Sequence, residues 1–367
     1  MPRADHVGSL LRPSEVQAAR AKVERGEIGA DALARVEDAS IARLIARQEE
    51  VGLASVTDGE LRRAYWHYDF LAGLDGLRLV PVEADGSQTA AFAQRHRLEV
   101  TGPIRWRGDH PFIDHYRFVA ATARTRPARI TIPSPSIVHF RLGHLALQSG
   151  SYRDLDTLTA DLAETYRQAV AAFAAAGCRY LQIDEVNLAM MCDPAQVAAA
   201  RERGVWRDDL ARVYARLIDE TIRERPADMR IGMHLCRGNF KSTWAAAGGY
   251  EPVAATLFND IGIDTYFMEF DSDRAGGFEP LRHLPKGSKS IVLGLVTTKT
   301  GQIEARDLLL RRLEEAQRFA PLCQLALGPQ CGFASVEEGN AISEAEQWAK
   351  LALCVDVARE VWGDAPL

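Results

Sequence analysis

The sequence predicts an α/β fold, a (β/α)8 TIM barrel with N-terminal helical and hairpin insertions, and three observations carry that expectation. Short apolar runs alternate with longer stretches of helical period along the whole chain. Eight such runs can be counted, and nearly all of them end in polar residues on their C-terminal side. After the first run comes His6–Val7–Gly8–Ser9–Leu10–Leu11–Arg12–Pro13, which has neither of the glycine-rich phosphate loops expected of a doubly wound nucleotide-binding sheet. Eight strand and helix units in 367 residues fit a closed barrel with room for insertions.

Taken in order, Asp5–Gly8 is the first strand and Ala54–Asp58 the second. Between them, residues 14–52 hold more helix than one crossover needs and read as an insertion. A second insertion, residues 74–116, contains Leu98–Ile104, a hairpin strand flanked by Gly and Pro. Arg129–Ser134, Tyr180–Asp184, Arg230–Cys236, Thr265–Phe270, Ser290–Val296 and Gln324–Gly328 complete the eight. Helical patterns occupy Leu155–Ala176, Asp208–Glu224, Glu304–Phe319 and Glu344–Val361. Without an internal repeat or low-complexity tract, residues 1–367 read as a single catalytic domain.

A chain with 47% hydrophobic residues can bury a substantial core. Its net charge of −6 is interspersed, which argues against nucleic acid or an anionic membrane surface as partner. No signal-like apolar core follows Met1, and no run reaches the roughly 18 apolar residues of a membrane span, so the expected location is cytoplasmic. Six cysteines, at 178, 192, 236, 323, 331 and 354, are too sparse for a disulfide framework and read as thiols or ligands. Cys178 and Cys354, in Ala-rich surroundings, read as core.

Candidate ligands stand at the ends of three predicted strands. His234 and Cys236 are two apart, so on a strand both point the same way. Glu269 ends a later run and Cys331 follows the last. Two thiolates, an imidazole and a carboxylate suit zinc, and their wide separation in sequence suits a catalytic centre better than a local structural knuckle. In a barrel all strand C-termini ring one mouth, which would add His6, Ser9, Asp58, Glu60, Ser134, Asp184, Glu185, Asp271, Lys299 and Gln330.

Together these residues resemble the catalytic C-terminal barrel of cobalamin-independent methionine synthase, in its short single-barrel form. The matching motifs, in order, are His6–Val7–Gly8–Ser9, Asp58–Gly59–Glu60, Gln182–Ile183–Asp184–Glu185, His234–Leu235–Cys236, Glu269 with Ser272 and Arg274, and Gln330–Cys331–Gly332. The resemblance implies Zn2+ held by His234, Cys236, Glu269 and Cys331. It implies an amino-acid thiol, homocysteine, gripped near His6 by Gly8, Ser9, Glu60 and Asp184, and alkylated on sulfur to a thioether, methionine. Carboxylates at 60 and 184 suit a substrate ammonium, and zinc binding keeps a thiol ionised at neutral pH.

The donor side departs from the family. Arg237–Gly238–Asn239 stands where a Tyr-Ser pair continues the strand end, and Ala189–Met190 replaces an Arg-Glu associated with folate. Val296–Thr297–Thr298–Lys299 occupies the place of the family's catalytic His, leaving Lys299 or a water to donate the proton. Trp66, in Arg62–Arg63–Ala64–Tyr65–Trp66–His67–Tyr68, is a candidate wall of the substrate pocket, although the cluster reads equally as an amphipathic helix. His139 is open to either a site or a core reading, while His110 and His115 read as capping or hydrogen-bonding residues of the insertion.

The methyl donor, 5-methyltetrahydrofolate in the family, is thus left open. Transfer to another thiol, as in epoxyalkane:coenzyme M transferases, is the neighbouring alternative. A metal-free lyase on the uroporphyrinogen decarboxylase barrel and a zinc-storing protein without chemistry are the others. The partners expected are small molecules, and the Ala-rich terminal helix is compatible with a homodimer.

Overall fold

A computed structural model describes residues 3–81 and 96–363. A hairpin of β1 (Asp75–Pro81) and β2 (His96–Arg105) precedes six parallel strands: β3 (Ile130–Pro133), β4 (Tyr180–Glu185), β5 (Arg230–Leu235), β6 (Thr265–Glu269), β7 (Ser290–Val296) and β8 (Leu325–Pro329). The six pair in chain order in one sheet. They are buried on both faces, which is why they read as continuous apolar runs and not as alternating ones. The register sets Asp184 beside His234, so neighbouring strands deliver both to one mouth.

The first two expected strands do not form as regular strands. They survive as isolated parallel bridges, Ala4 with Leu327 and Val56 with Ala128, joined by Ala54 N–H donating to the Ala4 carbonyl at 2.9 Å. The circuit from β8 back to β3 therefore runs through these two segments. A buried side chain takes the place of the missing ladder: the Arg129 guanidinium donates to the carbonyls of His6 and Val7, to Ser55 Oγ and to Gln182 Oε1. Gly328 permits the close approach, since a Cβ there would stand 2.4 Å from the Asp5 carbonyl oxygen.

Helices follow the expected order, at Leu155–Ala175, Leu210–Ile222, Arg306–Ala316 and Glu344–Trp362. Asp154 caps the first of these through Thr157 N–H, and Ser343 with Glu346 forms a capping box on the last. The first insertion is two helices, Ser14–Glu24 and Ala30–Val51, whose Ile41, Leu44 and Ile45 pack with Leu351 and Val355 of the terminal helix. In the second, β2 contains the expected Leu98–Ile104, while positions 82–95 lie outside the described residues. Residues 62–67 are irregular, with an isolated antiparallel bridge from Tyr65 to Val336 and a helix only at Tyr68–Leu71, so the amphipathic helix read for 62–68 is not there.

The main apolar cluster fills the space between sheet and helices. A small one, Val7, Tyr180, Phe267, Val292 and Ala326, lies on the sheet's inner face. No helix among the described residues is long and apolar enough to cross a membrane.

Candidate metal centre and the cavity around it

His234 and Cys236 leave the end of β5, Glu269 the end of β6 and Cys331 the turn after β8. All four are buried, and one ligand atom from each lies within 4.8 Å of the others. The two Sγ atoms are 3.4 Å apart, and Cys331 Sγ is 3.5 Å from His234 Nε2. His234 Nδ1 lies 3.2 Å from the Phe267 carbonyl, which can only accept, so Nδ1 carries a proton and Nε2 is the ring nitrogen turned to the cluster. Glu269 receives Arg237 N–H at 2.7 Å on one oxygen and Arg274 Nη2 at 3.0 Å on the other.

Proton affinities report how crowded the anions are. A hydrogen bond from Cys236, and then the charge of His234, hold the Cys331 thiol well below its usual range. The same bond to Cys331, with burial, pushes Cys236 well above it. Burial works against charge on His234, but the hydrogen bond and charge of Cys331 lift it to about 9. Burial likewise opposes ionised Glu269, and Arg237 and Arg274 overcome it. Protons are thus shared by donors held at contact distance, an arrangement that a dication of zinc's preferences satisfies by replacing them.

A cavity of about 530 Å³ opens onto His234, Cys236 and Cys331. Ser9, Glu60, Asp184 and Trp66 line it as expected. Glu60 adopts φ +60°, unusual for a residue with a Cβ, and its Oε1 accepts from Thr131 Oγ1 at 2.7 Å. Its buried Oε2 has no partner among the described residues. Burial, and then the charge of Glu60, raise Asp184 to about 7. Glu60 Oε1 also lies 3.4 Å from Arg63 Nη1, which leaves its partnerless Oε2 and Asp184 as the carboxylate groups that can receive an ammonium. Gly8 supports the wall: its φ is +136°, and a Cβ would meet Thr131 Cγ2 at 2.7 Å.

Seven residues expected at the mouth do not line the cavity: His6, Asp58, Ser134, Glu185, Asp271, Lys299 and Gln330. His6 does not line the cavity; both ring nitrogens are buried without a partner among the described residues, and burial, then the charge of Arg129, lower it to about 4. Lys299 does not line it either, because its Nζ donates to the Gly238 and Thr243 carbonyls and to Asn239 Oδ1 at 3.1, 2.9 and 2.7 Å. Glu185 faces away and accepts the N–H groups of Asn187 and Leu188. Residues not foreseen join the walls: Phe140, Arg141, Arg203, Phe240 and Trp244. They come from connections after β3, β4 and β5, the segments that barrel geometry sends to the mouth.

Residues 1–360 match the family described as cobalamin-independent synthase, catalytic domain. The Bacillus subtilis protein YxjH is 44% identical over 98% of this chain and 94% of its own length. The methionine synthase of Pyrococcus abyssi is 22% identical over 81% of this chain and 75% of its own. Among solved structures, one assigned as the vitamin-B12 independent methionine synthase of Listeria monocytogenes shares 38% identity, covers 99% of this chain and 98% of that one, and superposes with a TM-score of 0.77.

Proposed function

The chain belongs to the family of cobalamin-independent synthase catalytic domains, and from that premise we propose that it methylates the thiol of homocysteine to form methionine, with zinc bound by His234, Cys236, Glu269 and Cys331. One observation carries the reading: these four donors converge, and His234, Cys236 and Cys331 line the same cavity as Glu60 and Asp184. A metal-free lyase has no use for two thiols and an imidazole in contact.

Zinc held there supplies a Lewis acid that keeps a substrate thiol ionised at neutral pH, where a free thiol of pKa about 8.5 is mostly protonated. The chain's own residues do the rest. Glu60 and Asp184 take the ammonium of the amino acid, which fixes the direction in which its side chain reaches the ligand cluster. His234 is oriented by the Phe267 carbonyl, and Glu269 by Arg237 and Arg274, so the cluster is held before substrate arrives. The alkyl donor enters through the open side of the cavity, past Trp66 and Trp244. Residues 1–367 act as one catalytic unit.

The test is zinc content together with methionine formation from homocysteine and 5-methyltetrahydrofolate. One zinc per chain is expected, with a sulfur neighbour added at about 2.3 Å in the zinc-edge spectrum once homocysteine is present. Cys331→Ser should lose zinc and activity while keeping its circular dichroism, since so large a core does not depend on one site. Wild-type zinc content in that variant would sink the assignment.

A further inference from the structure

Charge is divided unevenly around the cavity. At the metal end stand the carboxylates of Glu60 and Asp184 and the two thiols, which repel any anionic group of a second substrate. On another wall, Arg141 projects from the helix Ser136–Leu142 with an exposed side chain. Among the described residues it makes no hydrogen bond, ion pair or ring contact. Its charged neighbour is Arg203, which lies on the same wall and donates to the Phe140 carbonyl at 3.4 Å. The remaining acid of the lining, Glu338, lies 3.9 Å from Lys241. A guanidinium beside a second guanidinium, open to a cavity and without a carboxylate, is an anion receptor waiting for its ligand.

We propose that Arg141 binds the anionic group, a carboxylate or phosphate, of the alkyl donor, and so sets which donors the enzyme accepts. This rests on the thiol-alkylation reading above and adds the chemistry of the second substrate. The cavity then works as a bipolar slot. The acceptor's ammonium goes to Glu60 and Asp184, and the donor's anion to Arg141, so the two substrates cannot exchange places. Aromatic side chains at Trp66, Phe140 and Trp244 supply apolar wall in the same cavity.

The experiment is equilibrium binding to the zinc-loaded full chain, with benzoylglycine as the carboxylate probe, phenyl phosphate as the phosphate probe and benzamide as the neutral control. Methionine reports separately on the acceptor end. In wild type, one anionic probe should bind at least about tenfold tighter than benzamide. Whichever anion shows that preference identifies the group. Arg141→Gln should abolish the preference and leave benzamide and methionine binding unchanged, and Arg141→Lys should restore part of it. Unchanged anion binding in Arg141→Gln, no preference in wild type, or equal loss for all ligands would each overturn the assignment. Failure of methionine to bind wild type would count against the thiol reading and leave the Arg141 comparison standing.

Discussion

Lys299 shows how far a single residue can be read. Its position in the chain, after β7, made it a candidate proton donor. Its ammonium instead ties down three acceptors of the segment 238–243, which follows Cys236 directly, and Asn239 in turn donates to the Gly332 carbonyl beside Cys331. Lys299 is thus a positioning residue that holds both ligand-bearing turns. Lys299→Met should leave three acceptors without their donor and loosen the turns, weakening zinc binding by about 10- to 100-fold. A proton donor would behave otherwise, with kcat reduced at unchanged zinc affinity; a competitive chelator titration alongside kcat separates the two. The four candidate metal ligands were legible because strand-end position and donor chemistry coincided. His6 and Lys299 were misplaced because a strand end gives a residue's height on the barrel, and not the direction its side chain takes after the ladder stops. Arg141 carried no local signal at all, since an arginine in a short helix is ordinary until the fold shows that it faces a cavity.

At the scale of elements, the parallel strands were read within a residue or two at their ends because burial on both faces leaves long apolar runs with polar ends. Residues 62–67 were harder. Their aromatics fit a helical pattern, but Ala64 and Tyr65 donate their backbone N–H groups to the Asp69 side chain, a local competitor to helix. The helix Ser136–Leu142 was not foreseen, and it carries Arg141 as well as His139. His139 Nδ1 lies 2.7 Å from Tyr214 Oη, which ties this helix to Leu210–Ile222. Burial, and then the charge of Arg207, lower His139 from 6.5 to about 4. Above pH 6.5 both folded and unfolded states hold it neutral; between 6.5 and about 4 only the unfolded chain takes the proton. Acidification therefore removes stability through this residue. In urea titrations, wild type should lose about 1–2 kcal/mol relative to His139→Gln on going from about pH 7.5 to about pH 5. A pH-independent difference between the two would show that His139 does not titrate on unfolding.

For the whole molecule, the order of strands was legible but the way the barrel closes was not. Closure depends on residues far apart in sequence meeting inside the ring: Arg129 near the start of β3, Asp5 in the first segment, Ser55 in the second and Gln182 on β4. No periodicity marks such a contact. Arg129 is fully buried, 3.4 Å from Asp5 Oδ1, with its guanidinium 5.3 and 5.0 Å from the ring centres of Tyr180 and Phe267. Because the first two segments have only bridges where other strands have ladders, this side chain does the work of backbone pairing across the gap. Arg129→Met keeps the bulk but leaves Asp5 a buried carboxylate without its counter-charge, held only by Ser55, Tyr180 and the His6 N–H, and strips donors from the His6 and Val7 carbonyls. The expected cost is about 3–5 kcal/mol, read from the denaturant midpoint. If stranded charge is the cause, Asp5→Asn added to Arg129→Met should recover part of that loss; if the double variant is no more stable than the single one, the lost backbone contacts are what held the ring. Either way the effect should reach the cavity, because the segment that Arg129 fastens is the one that presents Ser9 to it.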